Sequence, residues 1–422
     1  MQSKHLDIIL ACLIGIAAGI SAVLVKTGIN FLGTSRVDLT MVYSSIVVLP
    51  ILGLVGGLIA GAFTKYIAPE INGSGIPQVK AYLSGYPMAM NLRVAAAKLV
   101  AGVIAIGSGI PLGREGPTVQ IGACMAKEVG HWLKVKSSNS RELLAAGAGA
   151  GLAAAFNAPI AGVIFVIEEL FKKVSSTTVV TAALASIVAS LISQHFATHD
   201  VRLAHGVIPD QVNITLAEIP LFVLLGVGAG LIGAAVNFGI IECTKFSTKS
   251  KVDIVWRVGL AGLIIGIVTA LAPIQFRDYA GLTECFTHGE ATWQLALLAL
   301  AIRPVLMVIA YGSGCPGGIF SPALTIGASL GFLVGVLAKT CAIGQPEIFA
   351  LAGMGAVFTA VARVPLTAII IVFEMTQNFS LILPLMISSV VAYVVAEKLY
   401  PGSVYDRLLR LQGIDVEAHE AQ

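Results

Sequence analysis

The chain has 422 residues, 57% of them hydrophobic and 12% charged, with a net charge of +3 and a mean hydropathy of +0.90. Soluble domains carry about 25% charged residues, so the composition excludes an ordinary soluble protein and points to a single membrane domain. The small net charge gives no pointer to nucleic acid, and six scattered cysteines (Cys12, Cys124, Cys243, Cys285, Cys315, Cys341) show neither CxxC nor metal-ligand spacing.

A short polar start with Lys4 leads into residues 8–32 and then 46–63, each long enough to span a bilayer, for which about 20 residues suffice. No small-residue cleavage site follows the first apolar run, so no signal peptide is expected. A loop with Arg36 and Asp38 is expected between these two spans. Residues 70–80, EINGSGIPQVK, form a Gly/Pro break, and residues 92–106 form a further apolar segment. Next comes GSGIPLGREGPTVQIGA (107–123), with four glycines ahead of Thr118, two prolines and the pair Arg114 and Glu115. Glycine and proline at this density interrupt a helix, and Pro117 suits the first turn of the next one. A basic loop with Lys127, Lys134, Lys136 and Arg141 is expected before the apolar stretch 143–170. That stretch breaks at Asn157-Ala158-Pro159 and ends in Glu168, Glu169, Lys172 and Lys173. Residues 179–192 complete the first half, and a polar loop is expected over 193–218.

The second half repeats the pattern. Spans are expected over 219–241 and 258–274, separated by a basic loop with Lys245, Lys249, Lys251 and Arg257, and a polar loop over 275–292. Residues 295–310 lead to GSGCPGGIFSPALTIGA (312–328), which matches 107–123 at nine of seventeen positions at an offset of 205. Lys98 and Arg303 each stand nine residues before their copy. A second block, at an offset of 206, pairs Gly147 with Gly353, Gly149 with Gly355, Pro159 with Pro365 and Glu168 with Glu374. Residues 323–337, then 349–375 broken at Pro365, then 381–396 complete this half, ahead of a tail with Lys398, Arg407 and Arg410 and the acidic Glu417 and Glu420.

The expected organisation is therefore one all-α membrane domain over 1–422, made of two repeats (about 8–197 and 218–398) and a short C-terminal helix, 403–412. Cytoplasmic loops are rich in Lys and Arg. The loop after the first copy carries four basic residues and the loop after the second only Lys339, so the repeats are expected to be inverted. Broken helices at corresponding places in two halves point to a binding site at the repeat interface. Irregular backbone at membrane depth is tolerated where it is buried in protein or lines a cavity.

The breaks bring helix N-termini after Ser74, Glu115 and Phe320, and near Tyr405, towards mid-membrane. Free N–H groups and the positive dipole end there make an anion site. Two readings stand for Glu115: a carboxylate that competes with an anion and gives way on protonation, or a structural group that caps a helix or pairs with the neighbouring Arg114. For Glu169 they are a proton carrier or the end of a helix at water. Glu168 and Glu374, matched across the repeat, read as structural. Lys98 and Arg303 read as buried supports for the loops or as contacts of the ion path. An intramembrane serine protease built on Ser74 or Ser108 is the rival enzyme reading, but all seven histidines (His5, His131, His195, His199, His205, His288, His419) fall at segment ends or in loops, and the chain is expected not to be an enzyme.

GSGIP at 73–77, GREGP at 113–117 and GGIFSP at 317–322 resemble the three signature stretches of the CLC family of chloride channels and chloride/proton antiporters. The resemblance runs from the first span to Tyr405. It implies an inverted-repeat fold of tilted, broken helices, a homodimer with one anion path per subunit, and multi-pass insertion in the cell (inner) membrane with cytoplasmic N- and C-termini. It implies chloride and protons as substrates, with no cofactor and no metal. By position, Gly73, Ser74, Ile319, Phe320 and Tyr405 are expected at the chloride, with Arg114 and Gly116 framing an outer site. Glu115 is the expected gating and external proton glutamate, and Glu169 the internal proton-transfer glutamate. The implied function is chloride/proton antiport, with a passive chloride channel on the same fold as the alternative. In nitrate-selective relatives the position of Ser74 is proline. Lys80 departs from bacterial members that carry an acid there. The chain is expected to lack both an amphipathic helix before the first span and the nucleotide-binding modules of eukaryotic members.

Overall fold

The computed structural model describes residues 2–135, 140–171, 175–196, 214–277 and 279–416. Lys136, Lys172, Lys173, His199, His205, Glu417, His419, Glu420 and most of the loop expected over 193–218 lie outside them. The first half comprises α1 (Gln2–Val42), α2 (Ser45–Ala62), α3 (Ile76–Leu83), α4 (Leu92–Gly107), α5 (Glu115–Trp132), α6 (Ser140–Phe156), α7 (Pro159–Phe165) and α8 (Ser176–Phe196). The second comprises α9 (Ile219–Lys249), α10 (Ile254–Leu271), α11 (Tyr279–Thr287), α12 (Trp293–Gly312), α13 (Phe320–Thr340), α14 (Pro346–Ala362), α15 (Pro365–Thr376) and α16 (Ile382–Leu399), and α17 (Val404–Leu411) follows. Eight helical stretches among the described residues are long and apolar enough to cross a membrane.

The breaks fall where the sequence places them. α3 follows Gly75, whose φ of +93° suits glycine. α7 and α15 each begin at a proline, after Asn157 (φ +58°) and Arg363 (φ +65°), which are equivalent at the repeat offset. Asn91 and Thr292 cap α4 and α12 by accepting from Val94 N at 3.1 Å and Leu295 N at 3.2 Å.

The helix ends differ from the hydropathy boundaries. Arg36 and Asp38 lie inside α1, not in a loop. Lys127 lies in α5, Arg141 in α6, Lys245 and Lys249 in α9, and Arg257 in α10. The expected polar loop over 275–292 contains α11. For the spanning helices the reason is common: a membrane helix keeps its i→i−4 bonds after its side chains become polar, so hydropathy marks the lipid boundary and not the helix end; α11 is instead a separate short helix between α10 and α12.

The halves are inverted. α5 packs on α6 as α13 packs on α14, and α1 on α8 as α9 on α16. The equivalent helices α2 and α10 cross antiparallel: a Cβ on Gly53 would lie 2.2 Å from Gly262 O, one on Gly57 2.4 Å from Val258 O, and one on Gly266 2.4 Å from Leu49 O. Two spanning helices that cross antiparallel run through the membrane in opposite senses. Small residues permit this backbone approach, which drives helix association in lipid. On the axis between the repeats, Gly113 and Gly318 exchange both backbone hydrogen bonds at 2.7 Å.

Candidate functional site

The site is built around that glycine bridge. Gly113 precedes α5 and Gly318 precedes α13, so their pairing brings two helix N-termini together in the protein interior. The first N–H groups of each helix have no intrahelical acceptor. The GSGIP loop is stapled to the same point: Gly317 N donates to Gly73 O at 2.9 Å, and Lys98 Nζ, fully buried, donates to Ile71 O at 2.7 Å and Gly73 O at 2.6 Å. Its repeat equivalent, Arg303, donates to Phe276 O at 3.2 Å and lies over the Phe276 ring. Phe276 is the repeat counterpart of Ile71, so both cations pin the same loop in their own half. The support reading of Lys98 and Arg303 thus has a geometry.

Ser74 is fully buried. Its Oγ accepts from Ile76 N at 3.3 Å and from Tyr311 Oη at 3.4 Å, which leaves its own proton to donate. The same Tyr311 hydroxyl accepts from Ser74 N at 3.4 Å. A Cβ on Gly116 would lie 2.7 Å from Ser74 O and 3.0 Å from the Gly318 Cα, so Ser74, Gly116 and the GGIF loop converge. Tyr405, on α17, packs its ring 6.3 Å from Phe320. Ser403 caps α17 by accepting from Tyr405 N at 3.1 Å, so the tyrosine's free group is its hydroxyl. That hydroxyl faces Ser74 and has no hydrogen-bond partner among the described residues.

The Glu115 side chain is 1% exposed. Its Oε1 accepts from Ser321 Oγ, on the first turn of α13. Its Oε2 has no partner among the described residues, and a Cβ on Gly113 would lie 2.0 Å from it. The carboxylate therefore lies against the glycine bridge, between the N-termini of α5 and α13. Its partner is Ser321 and not Arg114, whose guanidinium donates to Ala155 O at 3.1 Å and turns towards the end of α6. The ion pair with Arg114 is not formed, while the contact with Ser321 places the carboxylate at the start of α13.

Glu169 sits apart from this cluster, in the turn that follows α7. Its carboxylate pairs with Lys80 Nζ at 2.8 Å, and Lys80 also reaches Asp406 at 2.6 Å. Asp406 is adjacent to Tyr405, so α17 joins the two groups of residues. Glu168, its neighbour, accepts from Leu366 N and Thr367 N at 3.0 and 2.8 Å and caps α15.

Ser74, Glu115, Gly116, Phe320 and Tyr405 are thus brought together, with Gly73 and Ile319 in the loops that carry them, while Arg114 turns to the end of α6 and Glu169 pairs with Lys80. Sequence reasoning missed Tyr311, Ser321 and Asp406. Ser321 was the most accessible of these, because it sits in the GGIFSP stretch beside Phe320, the repeat counterpart of Glu115.

Inverted repeats of broken helices whose N-termini meet inside the protein define an integral membrane protein with an anion-attracting centre. The sequence model described as Voltage gated chloride channel matches residues 56–397. The chain belongs to that family. It is 34% identical to the H(+)/Cl(-) exchange transporter ClcA of Vibrio cholerae serotype O1, over 95% of this chain and 88% of the relative. It is 31% identical to the protein of that name from Yersinia pseudotuberculosis, over 95% and 87%. The crystal structure of a slow cyanobacterial Cl-/H+ antiporter superposes with a TM-score of 0.88 at 32% identity, covering 96% of this chain and 97% of that one. A eukaryotic CLC transporter at 24% identity shares the fold, with a TM-score of 0.84 over 98% and 75%.

Proposed function

We infer that this chain is a chloride/proton antiporter. The observation that carries the reading is the position of Glu115: a buried carboxylate with one unpartnered oxygen, set among helix N-termini where an anion would itself be stabilised. Chloride and this carboxylate compete for the same positive backbone ends. Protonation removes the charge that favours the site, the side chain moves away, and chloride passes. Ser74 and Tyr405 supply hydroxyls, and Ile319, Phe320 and Gly116 supply amides. These groups attract an anion without a full positive charge, so binding is weak enough for release. Glu169 takes the proton onward, and its carboxylate together with the exchange-transporter names of the relatives favours antiport over a passive channel.

The reading includes a homodimer with one path per subunit, insertion in the cell (inner) membrane and cytoplasmic termini. It calls for no cofactor. A protease is disfavoured because the Ser108 hydroxyl donates to Ala105 O at 2.8 Å, and Ser74 contacts Tyr311 and backbone groups.

The test is Glu115→Gln in proteoliposomes. Chloride flux is expected to persist while a chloride gradient ceases to drive protons uphill. Proton pumping that survives the substitution refutes the assignment, and a wild type that pumps no protons selects the passive channel.

A further inference from the structure

Lys80 is the cation that no part of the exchange cycle above uses. It is on α3, the helix that begins just after Ser74, and its side chain is 10% exposed. It touches two carboxylates at once: Glu169, 4% exposed, at 2.8 Å and Asp406, 21% exposed, at 2.6 Å. Three elements therefore meet at one ammonium group. One carries the proton-transfer candidate, α17 carries Tyr405, and α3 starts two residues after Ser74. Buried ions gain from such contacts only when the geometry is good, and removing one partner leaves an uncompensated charge.

We propose that Lys80 is a positioning residue that sets the pH window in which Glu169 accepts protons and ties Glu169 to α17 through Asp406. The inference rests on the chloride/proton exchange reading. The charged groups facing Glu169 are Lys80 on α3 and Asp406 on α17, with Glu168 on its own turn and the Tyr405 hydroxyl nearby. Glu168 is committed to the amides of α15, so the balance is decided by the other two charges. An adjacent cation favours the ionised carboxylate and an adjacent anion the neutral one. Lys80 opposes proton uptake by Glu169. Asp406 weakens that opposition, by drawing the ammonium to itself and by its own charge. When Glu169 takes a proton, Lys80 is left with Asp406 alone, and the attraction between α3 and α17 changes at the moment of proton transfer.

This arrangement makes the two partners act in opposite directions. In Lys80→Met, Glu169 is buried beside an anion with no cation, so the midpoint of the pH profile of proton-coupled flux rises by about one pH unit or more. In Asp406→Asn, Lys80 pairs with Glu169 alone, and the midpoint falls. Lys80→Arg keeps the charge and stays near the wild-type midpoint. The experiment reads proton and chloride fluxes together in proteoliposomes, with pH varied on both sides, and calorimetric chloride binding to each purified variant checks that it is folded. Opposite displacement of the two midpoints supports the proposal. It is overturned by an unmoved midpoint with a lowered maximum, which marks a structural role only, or by both variants moving the same way. Absence of proton coupling in the wild type overturns the antiport reading itself, so the two failures are told apart.

Discussion

Glu168 caps the helix that ends near Glu374, and Glu374 caps the helix whose following turn holds Glu168. Glu168 accepts from Leu366 N and Thr367 N at 3.0 and 2.8 Å, and Glu374 accepts from Ile160 N and Ala161 N at 3.0 and 2.8 Å. Donors and acceptors alike are related by the same offset of 206 residues, so this is one interaction used twice across the axis that the Gly113–Gly318 bridge also marks. A carboxylate at a helix N-terminus satisfies free amides and favours the dipole. Together these contacts hold the halves in register around the site.

Replacing either carboxylate by alanine leaves two amides at a helix start without their acceptor. Glu374→Ala is expected to destabilise the protein by about 1–3 kcal/mol. Glu168→Ala is expected to cost somewhat more, because the Thr367 hydroxyl also donates to it at 2.7 Å. Thermal unfolding in detergent checks both. The ratio of chloride to protons moved by the surviving protein is expected to stay at the wild-type value. A changed ratio would give this pair a part in transport.

Gly113 leaves room for the Glu115 carboxylate. An added Cβ would meet Oε2 at 2.0 Å and the Ser321 Cβ at 3.2 Å. Gly113→Ala therefore expels the carboxylate from its place against the bridge. The expected outcome is chloride flux with weakened proton coupling, resembling Glu115→Gln in direction and measured by the same paired-flux assay. Coupling at the wild-type ratio would show that Glu115 does not work from this position.

Lys98 and Arg303 pin equivalent loops, but only the loop held by Lys98 carries an expected chloride ligand. Lys98→Met removes two short bonds to Ile71 O and Gly73 O from a fully buried site. It is expected to destabilise the protein by about 1–3 kcal/mol and to weaken calorimetric chloride binding. Arg303→Met is expected to lower stability while leaving chloride binding close to wild type. Equal effects on binding would mean that the loop at Gly73 is not specially tied to the anion.

Much of this was legible in the residues. Glycine and proline mark the breaks because they end helices whatever surrounds them, and two ordered blocks at nearly one offset exposed the repeat. That repeat in turn separated Glu168 from Glu169: the first has an acidic counterpart in Glu374, the second has Met375. What escaped was of two kinds. Helix ends such as those of α1 and α9 run past the apolar boundary, since backbone bonding continues where lipid contact stops. Long-range pairs leave no local pattern: Lys80 and Glu169 are 89 residues apart, and Ser321 meets Glu115 across 206. Only folding brings such partners together, and a motif reports a residue type without its partner.

Of the two tyrosines near Ser74, Tyr405 is the proposed anion ligand and Tyr311 the structural hydroxyl. Tyr311 Oη makes two contacts with Ser74, both at 3.4 Å, so Tyr311→Phe removes protein–protein bonds and is expected to lower the unfolding temperature. Tyr405 Oη is fully buried and has no hydrogen-bond partner among the described residues. A buried hydroxyl without a partner costs about 1–3 kcal/mol of desolvation. Without an anion present, Tyr405→Phe is therefore expected to leave the protein as stable as wild type or more so. Its chloride binding is expected to weaken, because the donor that faces Ser74 is gone. Thermal unfolding of both variants, with and without chloride, measures this directly: added chloride is expected to raise the midpoint of wild type more than that of Tyr405→Phe. Equal stabilisation by chloride in the two proteins would remove Tyr405 from the anion site.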